Sequence, residues 1–188
     1  MKKLYILAGA NGSGKSTISK VLLPAESLVY VNPDDIAREI NPAEPTAAKI
    51  EAGKETLKRI EELFAAGTSF AIESTLSGNV YLKVIEKAKS LGYETAIIYT
   101  FLDNPEVCIA RIAVRVKTGG HYVPDEDVRR RFYRSKKNFI EKYSKAVDKW
   151  VMLYNGGCNI AIAAYGESDI HVLSKHLFKL FMEGVADA

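Results

Sequence analysis

The stretch Gly9-Ala10-Asn11-Gly12-Ser13-Gly14-Lys15-Ser16-Thr17 matches at every position the phosphate-loop pattern G-x-x-x-x-G-K-[ST]. Its glycines let the chain close into a nest whose backbone N–H groups point at phosphate oxygens. Lys15 can reach the β- and γ-phosphates of a nucleoside triphosphate, and the Ser16 hydroxyl can ligate Mg²⁺. A helix beginning at Lys15 adds the positive end of its dipole. Gly9 to Thr17 are thus the expected ATP contacts, with Ser16 the expected metal ligand.

The flanks agree. Lys3–Ala8 is a short apolar run of buried-strand type and Thr17–Leu23 continues as a helix, the order the motif needs. Farther on, strand-like runs at 28–31, 69–73, 94–101, 150–154 and 159–164 alternate with helical patterns at 34–40, 46–66, 79–91, 105–117, 124–148 and 169–183. This alternation predicts an α/β fold of the P-loop NTPase type, a three-layer sandwich around a mainly parallel sheet of five to six strands. Gly67 and Gly92 stand where helix C-caps belong. No repeat or linker interrupts residues 1–188, which read as one domain. The polar run Lys117–Val123, with Gly119-Gly120 inside it, joins two arginine-bearing helices. It predicts a helical lid over about 111–134 that closes on ATP and excludes water.

Apolar residues at 47% and charged ones at 26% are those of an ordinary soluble globule. Cys108 and Cys158 lie far apart with no CxxC spacing, so neither a disulfide framework nor a zinc site is expected and a reduced cytoplasmic setting is. Met1-Lys2-Lys3 and the apolar run after it imitate a signal peptide, but cleavage there would destroy the phosphate loop. The uncharged stretch Trp150–Gly166 is too short for a membrane span and reads as two strands around Asn155-Gly156-Gly157. Net charge is +3, yet residues 111–149 hold 12 Lys/Arg against 5 Asp/Glu. A basic segment on a mildly acidic body suits a highly anionic ligand.

Acids follow two of the strands. Ligands of open α/β sheets bind at the carboxyl ends of the strands, so Asp34 and Asp35 should face the phosphate loop. A carboxylate there can accept the proton of an acceptor hydroxyl, or it can cap the helix that follows. Asp34 is favoured as the base, with Asp35 as cap or helper. Glu73 ends the third strand and can hold a substrate hydroxyl or metal-bound water, with Thr75 adding a hydrogen bond. Ser74, Thr75 and Ser77 equally suit helix capping.

Arg111 and Arg115, four apart, share a helix face, and Arg111 is counted among the ATP contacts. Arg129, Arg130, Arg131 and Arg134 follow the lid. Guanidinium forks suit a transferring phosphoryl group and could act as fingers in cis. Asp127 stands three and four residues from Arg130 and Arg131 and offers surface pairing instead. Two or three of these arginines are expected on phosphate. His121 is the histidine expected to have a role; His171 and His176 are expected on the C-terminal helix.

Taken together, several segments resemble the zeta toxin family, kinases of UDP-N-acetylglucosamine. They are Gly9–Thr17, Asn32-Pro33-Asp34-Asp35-Ile36-Ala37, Glu73-Ser74-Thr75-Leu76-Ser77-Gly78, Arg111 with Arg115, Gly119-Gly120-His121-Tyr122-Val123-Pro124 and Arg130-Arg131-Phe132. The likeness is strongest to the family's short chromosomal branch, often labelled predicted ABC-type ATPases, and covers about residues 1–165. That label rests on Leu76-Ser77-Gly78, which stops short of a full ATPase signature. The resemblance implies a nucleoside-kinase-like fold, ATP and Mg²⁺ as cofactors, a UDP-sugar hydroxyl as acceptor and an antitoxin protein as partner. It places the catalytic aspartate on Asp34, the loop lysine on Lys15 and phosphate-binding arginines on Arg115 and Arg131. Substrate contacts fall on Glu73 and Thr75, with Asp35 and His121 beside them.

Two other readings stand next to this one. The basic segment suits a polynucleotide or nucleoside kinase, although few aromatics interleave it to stack bases, and nucleic acid is not the expected partner. A nucleotide-dependent binding module would hold ATP without turnover.

Overall fold

In the computed structural model, which describes residues 1–120 and 122–186, seven strands form one sheet in the order β2-β3-β1-β4-β5-β6-β7. β1 (Lys2–Ala8), β2 (Val29–Val31), β3 (Phe70–Ser74), β4 (Tyr93–Phe101) and β5 (Lys149–Tyr154) are parallel. β6 (Ala161–Gly166) and β7 (Ile170–Val172) complete the sheet antiparallel. The helices are α1 (Lys15–Glu26), α2 (Pro33–Ile40), α3 (Lys49–Ala65), α4 (Val80–Ser90), α5 (Pro105–Lys117) and α6 (Asp125–Asn138). α6 runs on through a π turn, Phe139–Tyr143, into α7 (Ser144–Ala146), and α8 (Lys175–Ala186) follows β7. None of the described helices is long and apolar enough to cross a membrane.

The α/β architecture and parallel sheet are as expected, and Gly67 and Gly92 take the positive φ angles, 64° and 75°, of helix-ending residues. The seventh strand departs from expectation. Residues 169–172 fit a helical pattern, yet the chain turns after Gly166 and β7 pairs back on β6, with His171 opposite Tyr165 and stacked on its ring. β-branched Ile170 and Val172 favour that extended state. α8 therefore begins only after Ser174, whose hydroxyl accepts from Leu177 N, so His171 lies on a strand while His176 is helical.

One core joins the strands to the helices on a single face of the sheet. Ile60 and Phe64 of α3, Ile85 of α4, Phe139 and Phe181 pack with Ile6, Ile72, Ile97, Tyr99 and Met152. Each such buried side chain contributes about 1.5–3 kcal/mol. A second cluster (Ala10, Leu102, Cys108, Ile112, Val123, Val128 and Phe132) fastens α5 and α6 to the loop after β1. Between the two clusters sits Lys136, 1% exposed, its Nζ 4.4 Å from the ring centre of Phe132, 5.1 Å from Phe181 and 5.7 Å from Phe101. That ammonium has no hydrogen-bond partner among the described residues. Burial pushes its pKa down to about 8, against the upward pull of Cys108, Asp103 and Glu183.

Strand order also places the crevice. The chain leaving β1 passes β3 to reach β2, whereas the chain leaving β3 passes β1 to reach β4. Connections that part in opposite directions open a cleft at the carboxyl ends of β1 and β3.

Candidate active site

The loop after β1 is wedged into that cleft. Gly12 and Gly14 have φ of 83° and 102°, where a side chain is strained. A Cβ on Gly12 would lie 2.5 Å from the Cys108 carbonyl oxygen, and one on Gly14 2.0 Å from Asn155 Nδ2. Asn155, just beyond β5, donates from Nδ2 to the Ser13 carbonyl at 2.9 Å, and its own carbonyl accepts from Arg111 Nη2 at 2.7 Å. Arg111 is thus tied to the loop through a residue the sequence presents only as part of a turn. The Ser13 hydroxyl is buried with no partner among the described residues, as a cradle for an anion would leave it. Lys15 is 6% exposed and donates to the carbonyls of Gly9 (2.9 Å) and Ala10 (3.1 Å).

Glu73 meets Lys15, and Asp34 faces cavities that both of them line. Glu73 Oε1 lies 3.7 Å from Lys15 Nζ, and its Oε2 accepts from the Tyr30 hydroxyl. Burial first, and then the Glu73 carboxylate, push the Tyr30 hydroxyl well above the usual range. Asn32 caps α2, its side chain accepting from Asp34 N at 3.0 Å. Neither aspartate is the cap, and Asp35 instead pairs with Arg38 at 2.9 Å. Partial burial raises the Asp35 carboxyl, and the Arg38 charge pulls it back. Asp34 stays exposed and lines three adjoining cavities. One, of about 180 Å³, is shared with Asn11, Lys15, Glu73, Thr75, Tyr81 and Arg131. A second of similar size is bounded by Gly12, Gly14, Ser16, Arg111 and Arg115. A third, about 440 Å³, opens toward Arg38, Pro42, Pro45 and Tyr122.

The arginines sort cleanly. Arg131 reaches Asn11 Oδ1 with one guanidinium nitrogen and Asp127 with another, both at 3.3 Å. Arg111 and Arg115 line the second cavity. Arg130 pairs with Asp127 at 2.6 Å, Arg129 forks onto Glu106 at 2.8 and 3.0 Å, and Arg134 is exposed. Three of the six arginines therefore stand at the cleft. His121 lies outside the described residues.

Thr75 is placed by contacts the sequence does not announce. Ser135 donates to the Thr75 carbonyl, Asn138 Nδ2 to that of Leu76 at 2.9 Å, and the Tyr143 hydroxyl to that of Gly78 at 2.7 Å. Between them Leu76, 1% exposed, is held at φ 53°, a conformation that costs a non-glycine residue about 1–2 kcal/mol. A regular α-helix would leave Tyr143 about 140° round the axis from Asn138. The π turn, closed by Ser144 N on the Phe139 carbonyl, brings it back to the loop. Thr75 and Ser77 bond each other through their hydroxyls at 2.9 Å, and α4 starts without a side-chain cap.

The metal question turns on donor chemistry. Among the described residues no three His, Cys, Asp or Glu side chains cluster as a metal cage. The Ser16 hydroxyl and Asp34 carboxylate do share a cavity. Few hard oxygen donors, with waters and phosphates supplying the rest, fit Mg²⁺.

Comparison with known proteins agrees with the fold. An uncharacterized protein of Haemophilus influenzae is 35% identical over 138 residues, 70% of this chain and 98% of that protein. The structure of AvrRxo1-ORF1 in complex with AvrRxo1-ORF2 and sulphate ions superposes with a TM-score of 0.79 at 17% identity. It covers 95% of this chain, which spans only 63% of that one. The PezAT chromosomal toxin–antitoxin system of Streptococcus pneumoniae gives 0.65 at 16% identity, covering 99% and 87% of the two chains. A gluconokinase from Sinorhizobium meliloti 1021 gives 0.53 at 12% identity, covering 99% and 92%. At such identities the structures speak for a P-loop kinase fold. The Zeta toxin family model matches residues 1–160, and on that match the chain belongs to the zeta toxin family, whose members are kinases.

Proposed function

We propose that this chain transfers the γ-phosphoryl group of ATP, with Mg²⁺, to a hydroxyl of a small molecule, a UDP-N-acetyl sugar being the favoured acceptor. The observation that carries the reading is Asp34. Its carboxylate makes no ion pair with a described residue and borders both the loop-side cavity and the cavity lined by Glu73, Thr75 and Arg131. It therefore stands between a donor site and an acceptor site.

Asp34 takes the proton of the acceptor hydroxyl as that oxygen bonds the γ-phosphorus. The bond from γ-phosphorus to the β,γ-bridging oxygen breaks, ADP leaves, and the proton on Asp34 passes to water. Lys15, Arg115 and Arg131 offset negative charge on the transferring group, and Glu73 and Thr75 orient the acceptor. Mg²⁺, held by Ser16 and the phosphates, would supply charge neutralisation. The turn through Gly119 and Gly120 is the part of the lid that would close over ATP.

Part of the basic excess of residues 111–149 is neutralised or hidden: at the surface Arg129 pairs with Glu106 and Lys149 with Glu94 and Glu167, acids outside the segment, and Lys136 is buried, which argues against a polynucleotide acceptor. The toxin–antitoxin neighbour supports an antitoxin partner, and a cytoplasmic site of action fits both. The test is ADP release over a panel of UDP-sugars, nucleosides and oligonucleotide ends. Asp34→Asn should cost about 10²–10⁴-fold in turnover with ATP binding intact; unchanged turnover refutes the assignment.

A further inference from the structure

Lys15, the residue meant for phosphate, is fully engaged inside the protein. An ammonium has three protons to donate. Two go to the Gly9 and Ala10 carbonyls, and the third side of the group faces Glu73 Oε1 at 3.7 Å. Triphosphate can claim Lys15 only by displacing these contacts, and the carboxylate is the one among them that bears charge.

What sets the strength of that grip is Tyr30. Its hydroxyl donates to the other oxygen of Glu73. Lys15 of α1, Tyr30 of β2 and Glu73 of β3 so form one chain, Tyr30–Glu73–Lys15. A donor on Oε2 fixes the plane of the carboxylate and draws charge away from Oε1. Without it, a carboxylate with little contact with water would lean harder on the Lys15 ammonium and bind it more tightly.

We propose that Tyr30 is a positioning residue for nucleotide loading: by holding Glu73 it weakens the hold of Glu73 on Lys15, so that the lysine can be given up to triphosphate. The inference rests on reading the loop as an ATP site. Glu73 then acts twice, as the counterion of Lys15 and as an acceptor contact once Lys15 has moved to phosphate.

Calorimetric titration of ATP into the full chain tests it, with wild type, Tyr30→Phe, Glu73→Gln and the double variant compared. Tyr30→Phe should weaken ATP binding about fivefold, Glu73→Gln should tighten it, and the double variant should match Glu73→Gln within about twofold. Equal weakening by Tyr30→Phe in both backgrounds would mean a merely structural role and overturns the proposal. So does unchanged affinity in Tyr30→Phe. Glu73→Gln needs no folded Tyr30 variant to be informative: unchanged or weaker ATP binding there removes the grip on which the idea depends. A wild-type chain that binds no ATP overturns the ATP-site reading itself, and this inference with it.

Discussion

Replacing Lys136 by methionine should stabilise this protein near neutral pH, although it removes a charge held over three aromatic rings. The side chain is fully buried with no hydrogen-bond partner among the described residues, and its pKa falls from 10.5 to about 8. Below pH 8 the lysine is protonated in the folded and the unfolded chain alike, and there the folded state bears the whole cost of burying the charge. Between pH 8 and 10.5 the unfolded chain holds the extra proton, so stability rises with pH. Above 10.5 both forms are neutral and the penalty is gone. A gap of two and a half pKa units at about 1.36 kcal/mol each makes about 3 kcal/mol. Methionine keeps the length and packing of the lysine stem without its charge. Urea unfolding at pH 7 and pH 10.5 is the assay. Lys136→Met should gain about 3 kcal/mol over wild type at pH 7, and the gap should close by pH 10.5. Equal destabilisation of the variant at both pH values would refute the reasoning, because the ammonium would then be a net source of stability.

Two further outcomes follow from the site. Arg131→Ala should lower turnover about 10³-fold, whereas Arg130→Ala, which removes an exposed ion pair, should change stability by no more than about 0.5 kcal/mol and leave turnover near wild type. Equal losses in the two would show that the cleft does not distinguish them. Asn138→Ala strands the Leu76 carbonyl without its partner and should cost about 1–3 kcal/mol in urea unfolding, together with a raised KM for the acceptor as Thr75 shifts; an unmoved midpoint and KM would contradict the role given to Asn138 in placing Thr75.

What could be read from sequence was whatever depends on near neighbours. The glycine loop carries its conformation within nine residues, and Asp34 follows, and Glu73 lies at the end of, a strand whose carboxyl end must face it. β7 was hidden because three residues carry too little pattern, and their pairing with β6 outweighs local helical periodicity. The arginines could not be sorted by spacing alone: Arg130 and Arg131 both reach Asp127, but only a folded chain brings Asn11 against Arg131 across 120 positions. Tyr30 and Asn155 share that obstacle. Their side chains act on Glu73 and Ser13, which lie 43 and 142 residues away. Asn32, quoted for its motif, supplied the cap that the aspartates were expected to provide.

The π turn has a consequence best put in genetic terms. Glu141 sits in it exposed to solvent, so the turn should accept many side chains there. It should also accept the loss of one residue better than a regular helix would. Deleting one codon between Phe139 and Tyr143 lets the segment relax to an α-helix in which Tyr143 follows Asn138 by four residues, about 40° round the axis, so its hydroxyl stays on the side of Gly78. A second deletion, swinging everything after it by about 100°, is the one that should break the fold.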